Sequence, residues 1–180
     1  MTSKTQAGLT RKQFLKTAAL SAVLPFLPRI DPAEAKAIGV TEVAPGIYVH
    51  QGNYAEVDVE NAGDISNLAF IVGAEAVAVV DTGTSAHIGK ALRDAIAAVT
   101  KLPVRYVINT HMHPDHVFGN ISFKDLNPEF VAHHKLARAL AVRAEGYLMS
   151  FKDDMGPENF AGTEVVLPTR AITDATEIDL

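Results

Sequence analysis

Cysteine is absent from this 180-residue sequence. The chain therefore forms no disulfide bond and supplies no thiolate ligand, which excludes every zinc site that contains cysteine. The absence of cysteine does not by itself indicate a cellular compartment. Metal ligands, if the chain has them, come from imidazole and carboxylate groups.

No apolar run is long enough to cross a bilayer, because a spanning helix needs about 20 consecutive apolar residues. The mild run Ala18 to Leu27 follows a basic segment, Thr10 to Lys16, and precedes small residues at 33, 35 and 37. This order is typical of an export signal. We therefore expect residues 1–37 to be a cleaved leader and the mature protein to be periplasmic. The basic segment resembles a twin-arginine signal with Lys12 in place of the second arginine, which leaves the export route open. An amphipathic N-terminal helix is the alternative.

Positive charge is also scarce. The chain has 16 Lys and Arg against 21 Asp and Glu, a net charge of −5. Six of these basic residues but only two of the acidic ones precede position 38, so residues 38–180 carry about −9. A surface of this sign repels phosphate groups, and neither nucleic acid nor anionic lipid is an expected partner.

Three histidines and one aspartate are concentrated in the segment His111-Met112-His113-Pro114-Asp115-His116. Neutral imidazole and carboxylate are ligands for Zn²⁺, Fe²⁺ and Mn²⁺. In extended backbone His111 and His113 point to the same side, since side chains alternate along a strand. Pro114 stiffens the following turn, so that Asp115 and His116 present a second pair of ligands. The spacing predicts a two-metal site and differs from the helical His-Glu-x-x-His arrangement.

At these residues the chain resembles the metallo-β-lactamase superfamily, whose His-x-His-x-Asp-His motif reads here as His111, His113, Asp115 and His116. Other segments add to the resemblance: Ala44–Val49 is similar to the family's opening hairpin, and Val79-Val80-Asp81-Thr82-Gly83 to its strand-end Asp-x-Gly motif. Together with Asn61–Ile65 and Phe118-Gly119-Asn120, these features are most similar to periplasmic zinc metallohydrolases associated with quinoprotein dehydrogenases and sulfur oxidation.

The resemblance implies a metal-dependent hydrolase that attacks a small-molecule substrate with metal-bound hydroxide. His111 and His113 would hold the first metal, and Asp115 and His116 the second. The expected cofactor is zinc, two ions in a complete site, with Fe²⁺ as the alternative. Asp115 would be the catalytic residue that orients the hydroxide or takes its proton. A non-catalytic metal-binding fragment and a mononuclear-iron sulfur dioxygenase remain open as alternatives.

Periodicity predicts an α/β fold. We expect a hairpin within Thr41–His50, and strands at Leu68–Val72, Ala76–Val80, Val104–Asn109, Glu129–Ala132, 165–167 and 171–173. Helices are expected at Ser85–Val99 and His134–Gly146, with a loop at Asp153–Gly162. The resemblance implies an αββα sandwich, of which residues 38–180 would form mostly the first half. One apolar face of the sheet would then be open, and a dimer is one way to cover it.

Several polar residues are candidates for supporting roles. Asp81 is expected to orient a ligand imidazole, because metal-bound histidine usually donates its other N–H to a carboxylate or carbonyl; an ordinary turn-forming role is the alternative. Asn109, Thr110 and Asn120 are weaker candidates for the same role. The acidic loop Gln51–Asn67 either flanks the substrate or is simply solvated. Of the remaining histidines, His133 and His134 are expected to be structural, and His50 and His87 to be surface or hairpin residues rather than ligands.

Overall fold

Seven strands form one mixed sheet in the computed structural model of the protein, which describes residues 38–180. The strands are β1 (Thr41–Ala44), β2 (Ile47–His50), β3 (Leu68–Val72), β4 (Val77–Val80), β5 (Val104–Asn109), β6 (Glu129–His133) and β7 (Arg170–Ile172). Their order in the sheet is their order in the chain. β1 to β4 pair antiparallel, whereas β4 to β7 pair parallel. The predicted α/β class is confirmed, and the expected leader, residues 1–37, lies outside the described residues.

Helices connect the parallel strands. They are α1 (Ala86–Val99), α2 (Pro114–Val117), a 3₁₀ helix (Phe118–Leu126) and α3 (Leu136–Asn159). Among residues 38–180, none of these helices combines the length and the apolar character that crossing a membrane requires.

Helix α1 begins where the sequence predicts. The Ser85 side chain accepts a hydrogen bond from the Ile88 amide at 3.3 Å and so satisfies one free donor of the first turn. Ile88, Leu92 and Ile96 then form one buried stripe at helical spacing. This stripe packs into the main core with side chains from β3, β4 and β5. Burying a side chain of this size contributes about 1.5–3 kcal/mol.

A second apolar cluster joins α3 to the segment that follows the histidine motif. Phe118, Leu140 and Met155 are almost fully buried in it. Phe118 also makes edge-to-face contacts with Phe151 and Phe160, at ring-centroid distances of 6.1 and 5.9 Å. The cluster holds α2 and the 3₁₀ helix against α3, and through them it fixes the backbone beside the motif.

The opposite face of the sheet is only half buried. Ala69 and Ile71 on β3, Val80 on β4, and Tyr106 and Ile108 on β5 keep part of their surface accessible, while their strand neighbours in the main core are buried. The alternation is that of a sheet covered more completely on one face than on the other.

Helix α3 corrects the prediction for the C-terminal part of the chain. It begins at Leu136 rather than His134 and extends to Asn159, through most of the segment predicted as loop. That segment is polar because most of the helix surface faces water, but Met155 is fully buried and anchors it. The break comes at Gly156, whose φ of 77° is non-helical, followed by Pro157.

The last predicted strands are only partly present. Residues 171–173 overlap β7 (Arg170–Ile172), but residues 165–167 form no strand and only pack as a connection between α3 and the sheet edge. Val165 and Val166 are partly buried against the two cores, so their apolar character reflects packing and not strand pairing.

The parallel half of the sheet places the functional residues. Val80 at the end of β4 lies beside Ile108 on β5. Because both strands end at the same edge, Asp81 and the histidine motif after Asn109 are brought together although they are distant in sequence. Ligand sites of parallel sheets form at this carboxyl edge.

Candidate metal centre

His111 and His113 lie side by side directly after β5. Their rings are 4.7 Å apart between centroids, and His111 Nε2 is 3.2 Å from His113 Nδ1. The two nitrogens thus face each other, as the predicted alternation of side chains requires. This is the first of two donor pairs in the motif.

Asp115 and His116 form the second donor pair. Pro114 is the first residue of α2, and Asp115 and His116 follow it in the same short helix. His116 Nε2 lies 3.1 Å from Asp115 Oδ2. The His111 ring is only 4.1 Å from the His116 ring between centroids, so the two pairs are adjacent.

Both separations fit the coordination of zinc. With Zn–N distances of about 2.0–2.1 Å, two ligands of a tetrahedral zinc are about 3.3–3.4 Å apart. The nitrogens of His111 and His113 and the Asp115–His116 pair lie within a few tenths of an ångström of that spacing. The donor types, imidazole and carboxylate, also fit a borderline cation. Each separation therefore matches one edge of a zinc coordination polyhedron, and both distances are also those of ordinary hydrogen bonds.

Asp81 links the two donor pairs through hydrogen bonds. Its side chain is nearly buried and accepts three hydrogen bonds: from the Thr110 amide at 2.8 Å, from the Thr110 hydroxyl at 2.7 Å and from His116 Nδ1 at 2.8 Å. Its φ of 56° lies in the left-handed region, which Asp tolerates better than most residues. Asp81 thus holds the His116 imidazole, and its backbone conformation turns the carboxylate toward the motif; that this imidazole is a metal ligand stays a prediction.

These bonds also decide which histidine nitrogens carry protons. Since a carboxylate only accepts, the Thr110 hydroxyl donates to Asp81. The Thr110 oxygen then accepts from His111 Nδ1 at 3.0 Å, which leaves the His111 Nε2 lone pair facing His113. His116 Nδ1 likewise donates to Asp81, while the protonated Nε2 donates to the Asp115 carboxylate and offers a lone pair only after it loses that proton. A metal ligand needs such a lone pair, directed by a bond at the other ring nitrogen.

The pKa values of His111 and His116 shift in opposite directions, so the two donor pairs differ in which groups are charged at neutral pH. Burial and the neighbouring His116 and His113 lower the pKa of His111, which favours its neutral form. Burial opposes the charged form of His116, but hydrogen bonds to Asp115 and Asp81 outweigh it and raise the His116 pKa to about 9. Burial raises the pKa of Asp115, but the bond to His116 and its charge outweigh burial and hold that pKa below its ordinary value. At neutral pH the second pair is therefore a carboxylate and an imidazolium.

The loop Gln51–Asn67 contacts the motif at one point that the sequence did not predict. The Ser66 hydroxyl donates to the backbone carbonyl of Asp115. Thr82 makes a second contact that the sequence did not predict: its amide donates to the His116 carbonyl at 3.0 Å. Its place directly after Asp81 in the strand-end motif was the available signal. The loop therefore supports the ligand backbone, whichever role its exposed tip has.

Within residues 38–180, no group of three or more His, Asp or Glu side chains is arranged to hold a metal ion. Each donor pair offers two protein ligands, whereas a catalytic zinc usually has three. His133 and His134 are exposed at the end of β6, and His87 lies half-buried on α1. None of the three is hydrogen bonded to the motif, so they do not complete either pair in this structure.

His50 is buried and paired, and it lies in the hairpin, one of its two predicted places, rather than on the surface. It ends β2, with Nε2 2.6 Å from Asp64 Oδ1 and Nδ1 2.9 Å from the Gly39 carbonyl. The bond to Asp64 raises the His50 pKa, although burial lowers it. The pair connects β2 to the loop that carries Ser66, so His50 has a structural role.

The comparisons with known proteins agree with this geometry. The family model described as the metallo-beta-lactamase superfamily matches residues 62–176, a range that includes Asp81 and the whole histidine motif. No curated protein matches the chain.

Solved structures with the same fold include three metallo-beta-lactamases. That from Hirschia baltica matches with a TM-score of 0.56 at 15% identity, over 78% of this chain and 54% of its own. That from Erythrobacter litoralis, with beta-mercaptoethanol in the active site, gives 0.55 at 20% identity, over 76% and 50%. FIM-1 from Pseudomonas aeruginosa, in its mono-zinc form, gives 0.56 at 15% identity, over 78% and 52%. The chain thus spans about half the length of these structures.

Proposed function

Because this chain belongs to the metallo-beta-lactamase superfamily, we propose that it is a metal-dependent hydrolase, with zinc as its metal. His111 and His113 hold one ion, and Asp115 and His116 hold the other. When bound, zinc lowers the pKa of a coordinated water to about 7 and polarises a substrate carbonyl or phosphoryl oxygen. The substrate is a small molecule with a hydrolysable acyl or ester bond; the fold alone does not choose among β-lactam, thioester, lactone and ester.

The observation that supports this proposal best is the spacing of the two donor pairs, 3.2 Å and 3.1 Å. Two adjacent pairs, joined through the buried carboxylate of Asp81, are the arrangement expected of preorganised metal ligands.

Asp115 has two tasks in the proposal. Its lowered pKa keeps it ionised at neutral pH, so that its carboxylate can bind the second ion. The same carboxylate can accept a proton from a water molecule that enters between the donor pairs. The bond from Ser66 to its backbone fixes the position from which it acts.

A second candidate function follows from the number of ligands. Since residues 38–180 offer no group of three ligands, metal binding without turnover is the alternative to hydrolysis. The iron dioxygenase alternative has no specific support in the geometry, because imidazole and carboxylate donors suit zinc and iron alike.

The test uses the full 180-residue chain loaded with zinc, and separately with Fe²⁺ under anaerobic conditions. The protein is desalted, and its metal content is then measured by inductively coupled plasma mass spectrometry. Turnover is then measured with a chromogenic cephalosporin and with a thioester. We expect bound zinc at up to two ions per chain and zinc-dependent hydrolysis of one of these substrate classes.

Two alanine variants sharpen the result. His113→Ala removes a proposed ligand and should lower zinc occupancy. Losing only a supporting contact typically weakens metal affinity by about 10–100-fold, and losing a ligand should weaken it at least as much. His133→Ala is the matched control, since it removes an exposed imidazole outside the motif and should leave occupancy unchanged. Equal zinc content in His113→Ala and wild type would contradict the ligand assignment. Bound zinc without turnover would favour the non-catalytic alternative.

A further inference from the structure

We propose that Thr82, Asn109 and Asn120 are positioning residues that fix His116 through its backbone carbonyl. This inference rests on the proposed metal centre, because it explains how one ligand of that centre is held in place. The three residues form one buried hydrogen-bond network, defined here as the carbonyl network. None of them contacts the imidazole itself, so they act on the ligand only through its main chain.

The His116 carbonyl is the centre of the network. It accepts from the Thr82 amide at 3.0 Å and from Asn109 Nδ2 at 3.2 Å. The Thr82 hydroxyl lies 3.3 Å from the same carbonyl, but its single proton goes to the nearer Asn120 Oδ1, so the hydroxyl acts through Asn120. A carbonyl in the last turn of a helix has no partner within that helix. In α2, which ends at Val117, the partners come from the ends of the two parallel strands β4 and β5.

Asn120 ties these two partners together. Its Oδ1 accepts from the Thr82 hydroxyl at 2.8 Å and from Asn109 Nδ2 at 3.1 Å. Its Nδ2 donates to Asn109 Oδ1 at 2.8 Å. The two amides therefore form a reciprocal pair, which leaves little freedom for either side chain. Because Asn120 lies in the 3₁₀ helix, the network joins three separate segments of the fold around one carbonyl.

Because the carbonyl network is buried, its groups can keep all their hydrogen bonds only in one arrangement. Thr82 and Asn120 are completely buried, and Asn109 is 3% exposed. No buried side-chain nitrogen or oxygen within residues 38–180 lacks a hydrogen-bond partner. Since unpaired polar groups are costly in such surroundings, the backbone of His116 cannot shift without breaking bonds that water would not replace.

The consequence concerns the distance between His116 Nε2 and Asp115. The imidazole is already held at Nδ1 by Asp81, and the carbonyl network holds the other end of the same residue. Two anchors, one on the ring and one on the backbone, determine both the position and the direction of Nε2. A ligand held in this way loses little freedom when a metal binds.

A purely structural role is the competing explanation, and Thr84 provides the matched control. Thr84 is also completely buried, and its hydroxyl donates to the Gly63 carbonyl. Thr82→Val and Thr84→Val therefore remove equivalent groups from the same segment, but only Thr82 belongs to the carbonyl network. Thr82→Val should still fold, because Asn120 Oδ1 keeps the bond from Asn109. Thr82→Ser retains the hydroxyl and serves as the rescue variant.

The experiment has one readout without metal and one with zinc, both on the full chain. Two-bond proton–nitrogen NMR spectra of the histidine rings report the protonation and hydrogen bonding of the His116 nitrogens in the metal-free protein, which change if the ring moves. Zinc titration against a chromophoric chelator reports affinity. We expect shifted His116 ring signals in Thr82→Val and zinc affinity weakened by about 10–100-fold, as for other contacts behind a ligand. Thr82→Ser and Thr84→Val should resemble wild type in both readouts.

Unmoved His116 signals in Thr82→Val would overturn the inference, whether or not zinc binds. Equal losses of zinc affinity in Thr82→Val and Thr84→Val would also overturn it, because the effect would then be general destabilisation. Shifted His116 signals in Thr82→Val, together with a wild-type chain that binds no zinc, would uphold the positioning role and refute the proposed metal centre instead.

Discussion

Replacing Asp81 with asparagine removes the negative charge and one acceptor oxygen but keeps the shape of the side chain, so it tests the contribution of the carboxylate alone. Asparagine has the same shape and tolerates the φ of 56° that Asp81 adopts. It keeps one oxygen, which can still accept from the Thr110 amide. An amide nitrogen then replaces Oδ2, the atom that accepts from the Thr110 hydroxyl and from His116.

The expected loss of stability is about 2–3 kcal/mol at pH 7, since a buried hydrogen bond to a charged group contributes about 1.5–3 kcal/mol. Burial lowers the His116 pKa, but the bonds to Asp115 and Asp81 outweigh it and raise that pKa to about 9; without the Asp81 carboxylate it should fall part of the way toward its ordinary value, because the bond to Asp115 remains. Urea unfolding measures the first quantity, and NMR titration of His116 the second.

Asp125→Asn is the control for charge alone. Asp125 pairs with Arg93 at 2.6 Å on the exposed surface, where an ion pair contributes no more than about 1 kcal/mol. The reasoning would be refuted if Asp81→Asn unfolded at the same urea concentration as Asp125→Asn and left the His116 pKa near 9.

Three further predictions concern stability, packing and processing. The His50 pKa is raised above 6.5, mainly by Asp64, so its stabilising contribution is complete below pH 6.5 and declines as the pH rises through the higher folded value; urea midpoints should fall with pH less steeply in His50→Gln, and parallel curves would contradict this. A Cβ at Gly119 would overlap the Thr82 carbonyl, whereas one at Gly146 meets nothing within 4 Å; Gly119→Ala should prevent stable folding, and Gly146→Ala should raise stability by about 0.5–1 kcal/mol. Intact-mass analysis of cell fractions should find a periplasmic chain without residues 1–37, and a full-length cytoplasmic chain would disprove the leader.

The local pattern of the sequence was sufficient for most of the fold. Helix α1 and the strands β3 and β5 follow from apolar periodicity and from the Ser85 cap, which are local signals. The extent of α3 was not predictable in this way. Its C-terminal turns are polar, and the single buried Met155 that anchors them packs against residues distant in sequence.

The pairing of the candidate ligands was predictable for a similar reason, whereas their role as ligands stays a prediction. His111 to His116 are adjacent in sequence, so their pairing needs only strand alternation and one proline turn. The supporting contacts depend on tertiary structure instead. Thr82 reaches His116 because β4 and β5 end at the same sheet edge, and Ser66 reaches Asp115 through a loop fixed by the His50–Asp64 pair.

The central claim is that the two donor pairs bind metal, and zinc-edge anomalous diffraction from zinc-soaked crystals tests it most directly. We predict a peak about 2.0–2.1 Å from both His111 Nε2 and His113 Nδ1, and a second peak beside Asp115 and His116. A zinc ion bound only at the exposed His133 and His134, or no peak at the motif at saturating zinc, would contradict the account.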